Sequence, residues 1–507
     1  MSPSSALRVD PVLTMKQLGH FRNASWSGVS AAIRSALVML TSLLALRLLG
    51  SYQYGHVVTW LSLYVVYLSL SSNAFTMLVV RLMALSNPDD LYYHSKPIAT
   101  AVTFCFASLI LLIAVTIFLC AFLIRQPKFV EILPPRFDEL IMLMGTLTSI
   151  QTIVALQAAV IEGRGRLDLA TKSQLVGPIF VFALLALAFI FGAAIEARHY
   201  VAVLCAGSLA DMFLLWLVRR RLLLPLLTEA PTLRSMRGVL QMLRSGGMLQ
   251  AASLLNLFLE PTNKFLLNNY AGPSTVAIYD LAMKVIWGIQ YLMGSAMRVF
   301  LHMGSQDRVA VGRSFSRAIC LLGVPVVAMH VVGILFLYFA SHYWVELDTV
   351  SLIIFFGIAS ISNLGMIYVT PFYLSLIGRR ELNFIFMLHA LQAFVNASLS
   401  IALIPYFGLV GSAFGLLVAT VINGVAICLR CDVERESAAD ESFAIRKAFR
   451  RITLASGLLV VTVGWSLFGE GGVLGLFGIV ASLALIMIKE PLVQKVSAFF
   501  SPKRQLP

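Results

Sequence analysis

Charge is what this sequence has least of. Asp, Glu, Lys and Arg together make up 12% of its 507 residues, about half of the quarter that a soluble chain normally carries. Acidic groups are the scarcer, 24 against 38 Lys and Arg. So little charge cannot cover a water-facing surface of this size, which excludes a soluble globular fold. The positive surplus does not point to nucleic acid either. The basic residues gather at the ends of apolar runs, where anionic lipid head groups and insertion topology account for them.

Signatures of catalysis are also missing. There is no GxxxxGK[ST] phosphate loop and no polar segment long enough to fold as a nucleotide-hydrolysing domain. The eight histidines (His20, His56, His94, His199, His302, His330, His342 and His389) are scattered over different segments, with no HExxH spacing. Six cysteines are spread along the chain, and Cys428-Leu-Arg-Cys431 lacks a second pair, so neither a disulfide framework nor a metal centre is expected. No catalytic residue, metal or cofactor is therefore assigned. Residues 1–28 are polar and mixed and do not read as a cleavable signal. The sequons at Asn23 and Asn396 fall in a predicted tail and within a predicted span, and are discounted.

What the chain does have is apolar length: 59% of its residues are hydrophobic. A membrane-crossing helix needs roughly 20 consecutive apolar residues. Runs of that kind lie at 29–49, 57–80, 98–124, 140–161, 175–195, 200–218, 245–268, 275–301, 316–341, 350–377, 383–404, 408–429, 452–468 and 473–489. This predicts an all-α polytopic membrane protein of about 14 transmembrane helices. With the N-terminus inside, 29 of the 38 Lys and Arg fall in cytoplasmic segments and 5 outside, which favours both termini in the cytoplasm of a cell with an inner membrane. The predicted organisation is a cytoplasmic tail (1–28), an N-lobe (29–218), a basic cytoplasmic linker (219–244), a C-lobe (245–429), a basic loop (430–451), a final helical pair (452–489) and a tail (490–507).

The two lobes read as a duplication. Gly50 and Gly272 are 222 residues apart. Gly163 and Gly378 are 215 apart, and Gly192 and Gly408 are 216 apart. A nearly constant offset through several points of punctuation implies two parallel six-helix units, and transporters place substrates at such repeat interfaces.

Leu46-Arg-Leu-Leu-Gly-Ser-Tyr-Gln-Tyr-Gly55 resembles the RxLG…xYG signature of polysaccharide-exporting flippases. Ile404-Pro-Tyr-Phe-Gly-Leu-Val-Gly-Ser-Ala-Phe-Gly415 resembles their IPxxGxxGAA turn, and the Gly-Arg pairs at 163–164 and 378–379 also fit. Over about residues 25–430 the chain is similar to the oligosaccharide-lipid flippases of the multidrug/oligosaccharidyl-lipid/polysaccharide exporter superfamily. It departs from their pattern at Ala277, where a glycine is usual, and at Gly411-Ser412-Ala413. The resemblance implies a V-shaped transporter with alternating access and cavity-lining spans one, seven and eight. It implies translocation of a polyprenyl-diphosphate-linked oligosaccharide for cell-surface polysaccharide synthesis, with polymerase and export machinery as partners. A multidrug antiporter of the same superfamily is the alternative, and an integral-membrane polysaccharide polymerase a more distant one.

Ionisable groups inside apolar runs are costly and usually face a wet cavity or a partner. Span one carries Arg34, on one helical face with Ser27, Ser30 and Thr41. Span seven carries Asn256, Glu260 and Lys264. Span eight carries Asp280, Lys284, Trp287, Tyr291, Ser295 and Arg298. Fixed cations suit a diphosphate, which Arg grips as a fork and Lys as a point charge. Arg34, Lys264, Lys284 and Arg298 are therefore candidate substrate-binding residues, with Trp287 and Tyr291 to stack on sugars. Glu260, Asp280 and Asp211 are candidate ion-coupling carboxylates. For Glu260–Lys264 and Asp280–Lys284, four residues apart, plain structural pairing stands as an equal expectation.

Overall fold

A computed structural model describes residues 11–85, 91–124, 137–163, 167–228, 236, 251, 254–255, 259–297, 325–345, 347–378 and 381–433. The described residues are almost wholly helical, as an apolar chain in lipid must be, because each backbone N–H and C=O needs a partner within its own segment. The N-terminal half comprises α1 (Pro11–Leu68), α2 (Ala74–Leu85), α3 (Leu91–Ile124), α4 (Phe137–Gly163), α5 (Leu167–Ser173), α6 (Val176–Ile190) and α7 (Ala197–Thr228). The C-terminal half comprises α8 (259–270), α9 (Pro273–Met297), α10 (325–339), α11 (Thr349–Gly378) and α12 (Leu382–Val433). The final helical pair at 452–489 lies outside the described residues.

Nine helical stretches among the described residues are long and apolar enough to cross a membrane. Two of them reverse direction. In α1 the chain turns at Gly50 (φ 76°), and in α12 at Gly408 (φ 52°). The reversal in α12 shows in its hydrogen bonding, where Asn423 donates to Gln392 at 2.6 Å across the two arms. The reversal in α1 shows in the fact that Ser42 and Tyr54 both reach the Lys284 ammonium. Twelve residues of straight helix would hold them about 18 Å apart. Among the described residues, the glycines with left-handed φ are Gly50, Gly192, Gly272 and Gly408, all of them residues whose spacing suggested a repeat. Gly163 and Gly378, the third matched pair, each end a helix.

Large apolar side chains such as Ile110, Leu111, Met142, Phe213, Val332, Met387 and Phe394 are exposed, which fits a lipid-facing surface. Polar side chains join helices inside: Gln151 donates to Ser208 at 2.6 Å and Ser362 to Thr420 at 2.8 Å, the usual glue between membrane helices. One large core runs from α1 through α9 to α10, α11 and α12, built around Leu46, Tyr54, Tyr279, Leu281, Phe355 and Phe356. A smaller one joins α2, α3 and α4. At the start of α11, Asp348 accepts from the N–H groups of Val350 and Ser351 at 3.1 and 3.2 Å. The Ser351 hydroxyl and these two N–H groups hold the Asp348 carboxyl below the ordinary carboxylate range.

Candidate functional site

The candidate site forms where α1 lies along α9, so that the first hairpin of the N-terminal half meets the C-terminal half. Close approach is built in at Gly55: a Cβ there would run into the carbonyl of Pro273. Beside it, Ser51 donates to Ser274 at 3.2 Å. Further in, the seam turns from small residues to ionic ones.

Asp280 is the hub of this ionic region. Its side chain is 3% exposed. Its Oδ1 accepts from Lys264 at 2.6 Å, and its Oδ2 accepts from Lys284 at 2.7 Å and from the Tyr54 hydroxyl at 2.7 Å. Lys264 is 4% exposed and also pairs with Glu260. Lys284, 18% exposed, donates to Ser42 at 2.8 Å and to the Tyr54 hydroxyl at 2.9 Å. Its ammonium also stands over the Tyr54 ring, 5.5 Å from the centroid. Two lysines and two carboxylates thus neutralise one another formally. That is the condition under which charges survive burial, since an unpaired ion in the bilayer is strongly disfavoured.

Amide groups extend the network. Asn263 donates to the Tyr279 hydroxyl at 3.4 Å, and Asn396 of α12 donates to Asn263 at 3.2 Å. Tyr200 of α7 packs near Tyr54, with ring centroids 6.4 Å apart.

Of the residues singled out from sequence, Glu260, Lys264, Asp280 and Lys284 come together. Both i,i+4 pairs form, and Lys264–Asp280 links the two helices. Trp287 is half-buried against the large core. Tyr291 is exposed further along α9, and Arg34 is exposed on α1. Arg298 and Asn256 lie outside the described residues. Asp211 is apart from the cluster: it is buried on α7 and accepts the Gly177 N–H at 2.6 Å. There it caps the start of α6, where the chain is broken between Ser173 and Val176. Pro178 accounts for the break, because its nitrogen carries no hydrogen and its ring crowds the carbonyl four residues back. Sequence reasoning missed Tyr54, Ser42, Asn263 and Asn396. Tyr54 stood inside the first motif, where it was read only as part of the family signature.

Comparison with known proteins gives three findings. The family profile described as "Polysaccharide biosynthesis protein" matches residues 21–301. No curated protein sequence matches. Among solved structures, the lipid II flippase MurJ in an inward closed conformation is similar at TM-score 0.64 and 11% identity, covering 94% of this chain and 98% of that one. An inward-facing multidrug resistance MATE family transporter of the MOP superfamily is similar at TM-score 0.56 and 13% identity, covering 82% and 96%. An outward-facing one is similar at TM-score 0.53 and 14% identity, covering 85% and 96%. At these identities the likeness is one of fold, and it places the chain in the MOP-type architecture.

Proposed function

The chain belongs to the polysaccharide biosynthesis protein family, and on that footing we propose that it is a flippase moving a polyprenyl-diphosphate-linked oligosaccharide across the inner membrane by alternating access. The observation that carries the reading is the ionic seam between the two halves. A transporter of cationic solutes has no evident use for two lysines on the face where its halves meet. A lipid-linked sugar with a diphosphate does.

In this reading Arg34 receives the diphosphate first, because it is exposed on α1 while Lys264 is buried between two carboxylates. Arg298, which lies outside the described residues, is the second arginine assigned to the diphosphate. Lys284 and Lys264 supply positive charge deeper in the seam. Trp287 and Tyr291, on the same helix, stack on sugar rings. Glu260 is the candidate for ion coupling, since Asp280 is engaged by two lysines and Asp211 by a backbone N–H. The turns at Gly50, Gly192, Gly272 and Gly408 face outward and both termini lie in the cytoplasm, which the distribution of Lys and Arg supports. Polymerase and export machinery take over the product on the outer side.

The test is flipping in vesicles with a fluorescent lipid-diphosphate oligosaccharide. Arg34→Ala is expected to lose most of the rate, and Arg34→Lys to keep part of it, as loss of forked recognition with retention of charge predicts. Equal rates in all three proteins would remove Arg34 from the path.

A further inference from the structure

An ammonium has three protons, and the structure accounts for all three on Lys284. One goes to Asp280 at 2.7 Å, one to Ser42 at 2.8 Å and one to Tyr54 at 2.9 Å. Asp280 is on the same helix as Lys284, whereas Ser42 and Tyr54 are on α1. Tyr54 is fully buried, and it returns the contact by donating to Asp280 at 2.7 Å. Three hydrogen bonds therefore cross from one half of the protein to the other at a single lysine–aspartate pair. They exist only while the seam is shut.

The partners on α1 are hydroxyls, not carboxylates. A hydroxyl satisfies an ammonium but holds it more weakly than an anionic oxygen does. When α1 moves off α9, Lys284 keeps Asp280 and loses both hydroxyls. Two of its N–H groups then face the gap, in a membrane interior that offers little else to satisfy them. A phosphate oxygen entering the gap would take those two positions.

We propose that Tyr54 and Ser42 form a latch that competes with an anionic head group for Lys284, so that a diphosphate entering the seam releases α1 from α9. This rests on the flippase reading and adds to it a reason why the empty carrier stays shut. Tyr54 is a positioning residue here: it acts through Lys284 and Asp280, and its own ring stays packed near Tyr200. Lys264 stays behind with Asp280 and Glu260, so the four charges still sum to zero, and what the opened pocket gains is two ammonium N–H groups without partners, not net charge.

The test uses the full chain in lipid nanodiscs with Ser51→Cys and Ser274→Cys, whose hydroxyls are 3.2 Å apart in the shut seam. Disulfide yield under mild oxidation reports closure, with each single variant as control. The parent pair is expected to cross-link well alone, less well with farnesyl diphosphate, and unchanged with farnesol. Adding Tyr54→Phe removes one hydroxyl and keeps the ring. It is expected to raise the open-to-shut ratio about thirtyfold without ligand, the effect of losing the two hydrogen bonds that its hydroxyl makes with Asp280 and Lys284. Ser42→Ala is read the same way if Tyr54→Phe does not fold. Lys284→Gln still donates to the hydroxyls but has no charge, so its seam is expected to stay shut and to ignore farnesyl diphosphate. The latch is overturned by a parent seam that farnesyl diphosphate leaves shut, by Tyr54→Phe and Ser42→Ala that cross-link like the parent, or by Lys284→Gln that responds like the parent. Flipping of lipid-diphosphate oligosaccharide, measured on the same preparation, separates the two ideas. A responsive seam without flipping overturns the substrate reading and supports the latch, and flipping with an unresponsive seam overturns the latch alone.

Discussion

Lys264 and Asp280 each lie eight residues from Gly272, and Glu260 and Lys284 each lie twelve. A hairpin about Gly272 therefore brings Lys264 level with Asp280, about 12 Å in from the turn at 1.5 Å per residue. The two pairs four residues apart were read in the sequence, whereas the link from Lys264 to Asp280 across the hairpin came from the structure. The capture of Lys284 by α1 was not legible in the sequence, because Ser42 and Tyr54 are more than 200 residues away and nothing in a serine or tyrosine announces a lysine partner. Burial makes the pairing consequential. Removing one partner from a buried ion pair typically destabilises by about 3–5 kcal/mol, whereas replacing both with apolar groups is often neutral. Asp280→Ala is expected to lower the unfolding temperature in detergent, leaving two lysines with one carboxylate. Adding Lys264→Met to Asp280→Ala is expected to recover part of the loss. An Asp280→Ala protein as stable as the parent would mean that water reaches the cluster and screens it.

At the scale of elements, the apolar runs located most of the described helices to within a few residues. The helix breaks were less visible. Ser69–Asn73 forms a π-helical turn between α1 and α2 where the sequence reads as one continuous span. α7 continues to Thr228, beyond the point at which basic residues suggested a linker, because Arg219, Arg220 and Arg221 are good helix formers. The α1–α9 contact was hidden for a different reason. The small residue at position 55 stood in the sequence as the end of a family motif, and its constraint is the Pro273 carbonyl beside it. Gly55→Val is expected to push α1 off α9. Overpacking of this kind typically destabilises by about 1–3 kcal/mol, and the variant should show a lower yield of folded protein and a lower unfolding temperature. If it purifies and melts like the parent, the two helices do not pack as closely as described.

At the scale of the molecule, the repeat offsets predict two related six-helix units, and among the described residues the left-handed glycines sit in two pairs at those offsets. The MOP-type fold follows from similarity to the MurJ and MATE structures, and the chain belongs to the polysaccharide biosynthesis protein family. The fold alone does not choose between lipid and drug, because flippases and multidrug transporters share it. The proposed choice of a lipid-linked diphosphate rests on the lysines of the seam and on Arg34, and it is there that the account can fail. The deciding measurement places the purified protein in vesicles with two cargoes in parallel: a fluorescent lipid-diphosphate oligosaccharide, and a fluorescent cationic dye under an imposed ion gradient. The account predicts protein-dependent movement of the lipid between leaflets and none of the dye. Dye transport without lipid movement would contradict it and identify the chain as a cation antiporter.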